Sequence, residues 1–131
     1  MDSKGRVFLP VKLTCHLGEN FVVTRTLYDC VCIYRMTDWE KYVEKLEALP
    51  NYKYGSLKRL IYSRTQTASL DGQGRLLIPA SFRDELGLKG DIAVIGNNSC
   101  IELWSKESWA KEKSRIENEA ANVEFGEGVD L

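Results

Sequence analysis

A nine-residue segment occurs twice in this chain of 131 residues, and the duplication limits what the chain can fold into. Residues 2–10, DSKGRVFLP, recur at residues 71–79 as DGQGRLLIP. Further along, Cys30 matches Cys100 and Trp39 matches Trp109. Such self-similarity is typical of a fold built from copies of one supersecondary unit. We therefore predict two repeats related by a pseudo-twofold axis, at residues 1–49 and 71–120, with a connector at 50–70 and a tail at 121–131.

The same order of elements is predicted in each repeat. A D-x-x-G-R turn leads into a short apolar run that ends at a proline, which is typical of a buried strand. A short helix follows and is clearest at residues 80–86, with Gly87 in the position that ends a helix. Two further strands are predicted in each repeat, at residues 20–26 and 30–35 and at residues 91–96 and 100–104.

A longer helix is predicted at the end of each repeat. Thr37 and Glu40 have the spacing of a capping box, and Ser105 is expected to cap the second copy. Behind Thr37, apolar residues recur at helical spacing until Pro50, namely Trp39, Tyr42, Val43, Leu46 and Leu49. In the connector we predict a helix at residues 56–63 and a strand at residues 65–70. We expect Trp39 and Trp109 to pack in the core.

The strand at residues 65–70 enters the second D-x-x-G-R turn and is predicted to form a hairpin across it. Only Met1 precedes the first turn, so the first repeat lacks the corresponding strand. This difference predicts a truncated chain or a misassigned start. It also predicts a strand with unpaired backbone groups, unless another subunit or element covers them.

Charge is distributed unevenly along the chain. Residues 117–131 contain five acidic residues and no lysine or arginine, whereas the other 116 residues carry 18 basic and 14 acidic groups, a net charge of +4. A mildly basic body with an acidic tail is compatible with binding to DNA phosphates. No stretch approaches the roughly 20 apolar residues of a membrane span. The N-terminus has no apolar signal region, so we expect a cytoplasmic protein without a membrane partner.

Four cysteines and one histidine raise the question of a metal site. Cys15, His16, Cys30 and Cys32 offer one set of four ligands, but structural zinc sites favour C-x2-C spacing. A C-x-C pair on a strand places both side chains on one face, which also suits small core residues. Cys100 matches Cys30, and the second repeat shows no companion ligands. We therefore expect the cysteines to be core residues, and we expect no metal and no cofactor. The sequence also lacks a paired-carboxylate signature and a phosphate-binding loop, so no enzyme or small-molecule substrate is predicted.

The paired D-x-x-x-R motifs, Asp2 to Arg6 and Asp71 to Arg75, are each followed by a proline, a Leu-Gly pair and a tryptophan. This arrangement resembles the MraZ family of bacterial transcriptional regulators, from Asp2 to about Ile116. The resemblance implies an α+β fold, mainly β with helices, containing a double-split, swapped-hairpin β-barrel like that of the AbrB/MazE group. It implies a ring-shaped homo-oligomer on the nucleoid. That ring would bind repeated double-stranded DNA sites upstream of the division and cell-wall gene cluster, including its own promoter.

In that family the D-x-x-x-R residues lie on the DNA-binding face. The resemblance therefore implies DNA-binding roles for matching residues of this chain, namely Asp2, Lys4, Arg6, Asp71 and Arg75. Gln73 matches Lys4 in position, and its amide suits adenine. An arginine fork suits guanine or phosphate, and the ammonium of Lys4 suits phosphate. We expect the two aspartates to shape the turns or orient the arginines.

Two alternatives remain open at this point. D-x-x-x-R is also a purely structural device when the aspartate caps the turn and the arginine pairs with it. An antitoxin-like protein-interaction module on the same fold is the second alternative, with the acidic segment from Glu117 binding a partner enzyme.

Overall fold

The computed structural model describes residues 1–131 and contains seven strands and five helices. The first repeat forms β1 (Arg6–Phe8), α1 (Val11–Thr14), β2 (Phe21–Thr24), β3 (Val31–Tyr34) and α2 (Met36–Glu47). The connector forms α3 (Asn51–Ser63) and β4 (Gln66–Ala68). The second repeat forms β5 (Arg75–Leu77), α4 (Ala80–Leu86), β6 (Ile92–Gly96), β7 (Ile101–Ser105) and α5 (Lys106–Ala120). The fold is therefore α+β, with the same order of elements in both repeats. None of the helices combines the length and the apolar character needed to cross a membrane.

The strands form two separate antiparallel sheets. Strands β1 and β5 pair only with each other, and we call this pair the β1–β5 ribbon. The other five strands form a sheet in the order β4-β2-β3-β7-β6. No closed barrel is present, contrary to the expectation from the resemblance. Pro10 and Pro79 follow the ribbon strands closely and begin the next helices, so the ribbon is only three residue pairs long.

The hairpin predicted between the connector strand and β5 is wrong. Strand β4 pairs with β2, through Phe21 opposite Ala68 and Val23 opposite Gln66, while β5 pairs with β1. Strand β6 pairs with β7 in the second repeat, just as β2 pairs with β3 in the first. Strands β6 and β2 are therefore equivalent. No strand covers the outer edge of β6. Residues of β2 are accordingly buried, whereas residues 92–95 of β6 are half-buried.

Side-chain alternation along the strands gives the large sheet two apolar faces. On β3, Val31 and Ile33 join a cluster of 14 buried residues between the sheet, the ribbon and α4. Their neighbours Cys32 and Tyr34 point to the opposite face, where α2 and α5 cover a second cluster. Both clusters draw residues from both repeats. The two repeats therefore share their cores.

Trp39 and Trp109 pack against the second cluster, as predicted. The ring of Trp39 stacks on that of Tyr42, with centroids 5.2 Å apart. Trp109 meets Trp104 of β7 at 5.8 Å between centroids. Because each tryptophan is held between a helix and the sheet, neither forms a platform for stacking DNA bases.

Helix boundaries agree with the predictions in the second repeat and differ in the first. The Ser105 hydroxyl caps α5 by accepting the backbone N–H of Ser108 at 3.0 Å. Gly87 ends α4 in the left-handed region, with φ of 63°. The capping box predicted at Thr37 is wrong, because the N-cap position of α2 is Arg35, two residues earlier, and no side chain caps the helix. Arg35 instead holds the first turn by donating from Nε to Asp38 at 2.7 Å.

The connector helix begins earlier than predicted. Pro50 precedes α3, which starts at Asn51 rather than at residue 56, while α2 has already ended before Leu49. The ammonium group of buried Lys58 closes this junction by donating to the carbonyl oxygen of Leu49 at 2.6 Å and to Oδ1 of Asn51 at 2.7 Å. A buried lysine acts here as a cap for the end of α2, which no local sequence pattern indicates.

Candidate nucleic-acid interface

The first D-x-x-G-R turn is organised by the carboxylate of Asp2. Its Oδ1 atom accepts the backbone N–H groups of Lys4 and Arg6, at 3.0 and 2.9 Å. Its Oδ2 atom accepts Nε of Arg6 at 2.7 Å. The backbone closes the turn as well, because the N–H of Asp2 donates to the carbonyl of Arg6 at 3.0 Å. Asp2 therefore both shapes the turn and orients the arginine.

The second turn repeats these contacts. Oδ1 of Asp71 accepts the backbone N–H groups of Gln73 and Arg75, both at 2.9 Å. Its Oδ2 atom accepts Nε of Arg75 at 2.8 Å, and the backbone N–H of Asp71 donates to the carbonyl of Arg75 at 2.9 Å. The duplicated sequence thus folds into a duplicated geometry. Lys4 and Gln73 occupy equivalent exposed positions at the tips of the two turns.

Glycine at the fourth position of each motif is required by the backbone. Gly5 and Gly74 have φ of 86° and 76°, a region that side chains with a Cβ rarely adopt. A Cβ on Gly5 would also lie 2.6 Å from the Arg83 guanidinium carbon. Arg83 belongs to α4 and its Nε atom is buried without a hydrogen-bond partner. The motif gives no indication of this neighbour, because the contact depends on how α4 packs beside the ribbon.

The register of the β1–β5 ribbon brings the two arginines to one face. Arg6 lies opposite Leu77, and Phe8 lies opposite Arg75. The residues between them, Val7 and Leu76, are buried, so these four side chains share the outer face. We call this set of Arg6, Phe8, Arg75 and Leu77 the ribbon face.

Two apolar members of the ribbon face are exposed to solvent. Phe8 is 66% exposed and Leu77 is 58% exposed. The guanidinium carbon of Arg75 lies 5.8 Å from the centroid of the Phe8 ring. The comparison of motifs does not select Phe8 or Leu77, although the alternation with buried Val7 indicates that Phe8 faces outward. An exposed phenylalanine beside an arginine gives this face both apolar and cationic contacts.

Each arginine is anchored at its Nε atom, and the side chains of Arg6 and Arg75 are 29% and 18% exposed. Nε of Arg6 bonds to Asp2, while neither terminal nitrogen of Arg6 has a hydrogen-bond partner in the protein. Nη1 of Arg75 lies 3.8 Å from Asp2 Oδ2, so the two turns also meet electrostatically. A guanidinium held this way loses less side-chain entropy when it binds a ligand through its free nitrogens. The ion pairs are compatible with a binding role and with a structural one.

The hydrogen bonds of the turns also change the acidity of the aspartates. The backbone N–H of Arg6 is the main cause that lowers the pKa of Asp2 from 3.8 to about 2, with its guanidinium adding to the effect against partial desolvation. The corresponding contacts of Arg75 lower the pKa of Asp71. Both carboxylates are therefore charged at neutral pH and would repel a phosphate. This charge favours a positioning role for the aspartates.

We expect the first turn to resist acid. Because the folded-state pKa of Asp2 is lowered, its contribution to stability is complete above pH 3.8 and is lost as the pH falls toward about 2. The Arg6 Nε–H resonance in an NMR titration should therefore shift with a midpoint near pH 2. An Asp2→Asn variant, which cannot ionise there, should lack this transition. A midpoint near pH 3.8 in the unmodified protein would contradict the expected coupling.

The structure does not assemble the zinc set considered from the sequence. Cys15 is exposed at the end of α1, and neither Cys15 nor His16 joins Cys30 and Cys32. The only group of three or more potential ligands consists of Cys30, Cys32 and Glu102. That group lies on the sheet face opposite the ribbon.

The family model and the similar proteins all indicate the same family. The family model described as "MraZ protein, putative antitoxin-like" matches residues 1–54 and 61–125. A "Transcriptional regulator MraZ" from Natranaerobius thermophilus is 37% identical over 125 residues, covering 94% of this chain and 87% of that protein. Proteins of the same description from Heliobacterium modesticaldum and Lachnoclostridium phytofermentans are 38% and 40% identical. They cover 85% and 96% of this chain, and 79% and 92% of their own lengths.

The family-model match spans both D-x-x-G-R turns and the helices α2 and α5 that cover the sheet, and leaves out residues 55–60 of the connector. These matches agree with the resemblance that the duplicated motifs indicate. The chain belongs to the MraZ family of transcriptional regulators.

Proposed function

We propose that the protein regulates transcription by binding double-stranded DNA in a sequence-specific manner through the ribbon face. The observation that carries this proposal is the pairing of β1 with β5, which sets Arg6 and Arg75 side by side with terminal nitrogens that form no hydrogen bond within the protein. A two-stranded β-ribbon fits the major groove of B-DNA, which is about 12 Å wide. The descriptions of the relatives as transcriptional regulators support the same conclusion.

Each residue of the proposed interface has a contact that suits its chemistry. The free nitrogens of Arg6 and Arg75 suit the O6 and N7 acceptors of guanine. Phe8 and Leu77 suit the methyl group of thymine, the apolar feature of the major groove. Lys4 and Gln73 sit at the turn tips, where an ammonium suits phosphate and an amide suits adenine. Asp2 and Asp71 act by holding the arginines.

We further propose that the protein acts as a ring-shaped homo-oligomer on repeated promoter sites. A single ribbon offers few contacts, so several ribbons on one particle would gain affinity through effective concentration. Sites near one helical turn apart would keep successive ribbons on one face of the duplex. The proposed targets lie upstream of the division and cell-wall gene cluster and include the protein's own promoter. A protein bound to these sites would be located in the cytoplasm, on the nucleoid.

The swapped-hairpin relation between the repeats belongs to this proposal. Strand β4 leads into the second repeat and yet pairs with β2 of the first, and β1 pairs with β5 across the repeats. Such an exchange places the two D-x-x-G-R turns on one small ribbon. It supports the idea that both repeats contribute to one DNA-binding face.

Selection from a random DNA library by the purified protein tests the function. The expected product is a repeated motif containing guanine, with spacing near one helical turn. A chemical cross-linking or light-scattering measurement on the same sample reports the number of subunits. Recovery of no motif above the starting library would contradict sequence-specific binding.

DNA affinity should fall steeply with salt. If six to ten phosphates are neutralised per particle, the affinity drops by about 10³–10⁵ between 50 and 200 mM salt. Lys4→Ala should reduce the slope of log affinity against log salt by about one per engaged turn, since it removes a phosphate contact. Fluorescence anisotropy with labelled duplex measures both slopes. An affinity independent of salt would count against the ribbon face as the binding surface.

An antitoxin-like interaction module is the second candidate. The family description contains that term, and the segment after α5 exposes Val123 and Phe125 between acidic residues. Capture of one specific protein from lysate treated with nuclease, dependent on residues 121–131, would support it. DNA selection that recovers a motif, together with no protein captured, would favour the DNA-binding function.

A further inference from the structure

Three thiols and one carboxylate lie on the face of the large sheet that is opposite the ribbon, and two of the thiols meet the carboxylate. The strand register places Cys32 of β3 directly opposite Glu102 of β7. Val31 and Ile101 point to the other face, so Cys30 and Cys32 share this face with Cys100 and Glu102. The result is a C-x-C pair beside a C-x-E pair on adjacent antiparallel strands.

The internal duplication explains why these groups converge. Cys30 and Cys32 correspond to Cys100 and Glu102 in the aligned repeats, at an offset of 70 residues. The pseudo-twofold axis passes between β3 and β7, where Cys32 faces its own counterpart. The sequence indicated no companion ligand in the second repeat, whereas in the structure Glu102 lies with Cys30 and Cys32. Glu102 is that companion, and only the pairing of the repeats reveals it.

The distances within this group match those of a tetrahedral metal site. The Sγ atoms of Cys30 and Cys32 are 3.7 Å apart. Two thiolates at about 2.3 Å from a tetrahedral zinc ion lie roughly 3.8 Å from each other. A carboxylate oxygen of Glu102 and both sulfur atoms all lie within 4.8 Å of one another. Ligand atoms this close need only small side-chain movements to share one ion.

The surroundings of the group resemble those of a supported metal site. The indole Nε1 of Trp104 donates to Oε1 of Glu102 at 3.2 Å, and such bonds orient ligating carboxylates. A cavity of about 280 Å³ lined by Cys32, Cys100 and Glu102 provides a path for entry. Cys100 lines the same cavity but lies outside the group of three ligand atoms.

We propose that Cys30, Cys32 and Glu102 form a zinc site that joins the two repeats across β3 and β7, with the fourth coordination position open to the cavity. Thiolates select zinc, copper(I) or iron–sulfur clusters, and a carboxylate ligand favours Zn²⁺ over copper(I). Each thiol that binds releases its proton to solvent, so the ion replaces the S–H groups. The site is distant from the ribbon face and adds a structural ion to the protein without depending on the proposed DNA-binding function.

The test is a titration of the full chain, reduced and stripped of metal, with Zn²⁺ in competition with a chromogenic chelator. One ion should bind per chain, and Co²⁺ in its place should show the intense visible bands of tetrahedral thiolate coordination. Glu102→Gln and Cys32→Ser should each weaken Zn²⁺ binding by at least about 100-fold. Cys15→Ser, the same substitution at an exposed cysteine outside the group, should leave it unchanged.

Glu102→Gln keeps the acceptor for Trp104 and preserves side-chain volume, so it remains informative where Cys32→Ser disturbs the core. Thermal unfolding provides a second measurement, because a bound ion should raise the midpoint of the unmodified protein and of Cys15→Ser alone. The proposal is overturned if the protein takes no Zn²⁺ from the chelator. It is equally overturned by an octahedral Co²⁺ spectrum, or by binding that survives both Glu102→Gln and Cys32→Ser.

Discussion

Replacing Arg6 with alanine should abolish specific DNA binding in a gel-shift assay while the circular dichroism spectrum stays native. Each bidentate arginine contact to guanine contributes about 1–3 kcal/mol, which corresponds to roughly a 5- to 150-fold loss of affinity per engaged ribbon. Several subunits on repeated sites multiply that loss. The fold should persist, because the side chain of Arg6 hydrogen-bonds only to Asp2 and lies on the outer face of the ribbon.

Two further variants distinguish reading of bases from simple charge attraction. Arg6→Lys keeps the positive charge and loses the planar fork, so it should retain salt-sensitive binding to random DNA and lose the preferred sequence. Arg59→Ala removes an exposed arginine on α3, away from the ribbon, and should bind as the unmodified protein does. Specific binding by Arg6→Ala equal to that of Arg59→Ala would show that the D-x-x-x-R arginine is structural only.

Leu76→Ala should be among the most destabilising single substitutions in the ribbon. Leu76 is 1% exposed and belongs to the cluster that joins the ribbon to the large sheet. Removing a buried leucine side chain costs about 2–5 kcal/mol, from lost burial and the cavity left behind. Domains of this size have about 5–15 kcal/mol of stability, so the loss should lower the midpoint of urea unfolding strongly.

The neighbouring leucine is a matched control. Leu77→Ala makes the same chemical change one residue away, on the exposed face, and should alter stability by no more than about 0.5 kcal/mol. It should instead weaken DNA binding if the ribbon face is the interface. Equal destabilisation by the two variants would contradict the alternation of buried and exposed residues along β5.

Local patterns predicted much of the second repeat and of both turns. The D-x-x-G-R spacing indicated turns shaped by aspartate, and the structure shows Asp2 and Asp71 in that role. The Ser105 cap and Gly87 follow from short-range rules of helix ends. The first repeat departs from those rules at Thr37, because an ion pair between Arg35 and Asp38 holds the start of α2 instead. Competing local contacts of similar strength decide such boundaries.

Long-range pairing was predicted less well. A hairpin between adjacent strands was the simplest expectation, yet β4 pairs with β2 and β5 pairs with β1. A hydrophobic period of two shows which face of a strand is buried and does not show which strand lies beside it. The choice of partner also placed Arg83 behind Gly5 and left β6 at an edge.

The amino-acid sequence by itself determined the duplication and the geometry of the two turns, because these depend on neighbouring residues. The continuous apolar runs predicted buried strands, and only the structure shows that Val7 and Leu76 are buried while Phe8 and Leu77 are exposed. Tertiary structure alone decided that the two arginines share one ribbon and that Cys32 faces Glu102. Those juxtapositions join residues some 70 positions apart in the sequence. Their register is set by the packing of both repeats into shared cores, which no local stretch of sequence encodes.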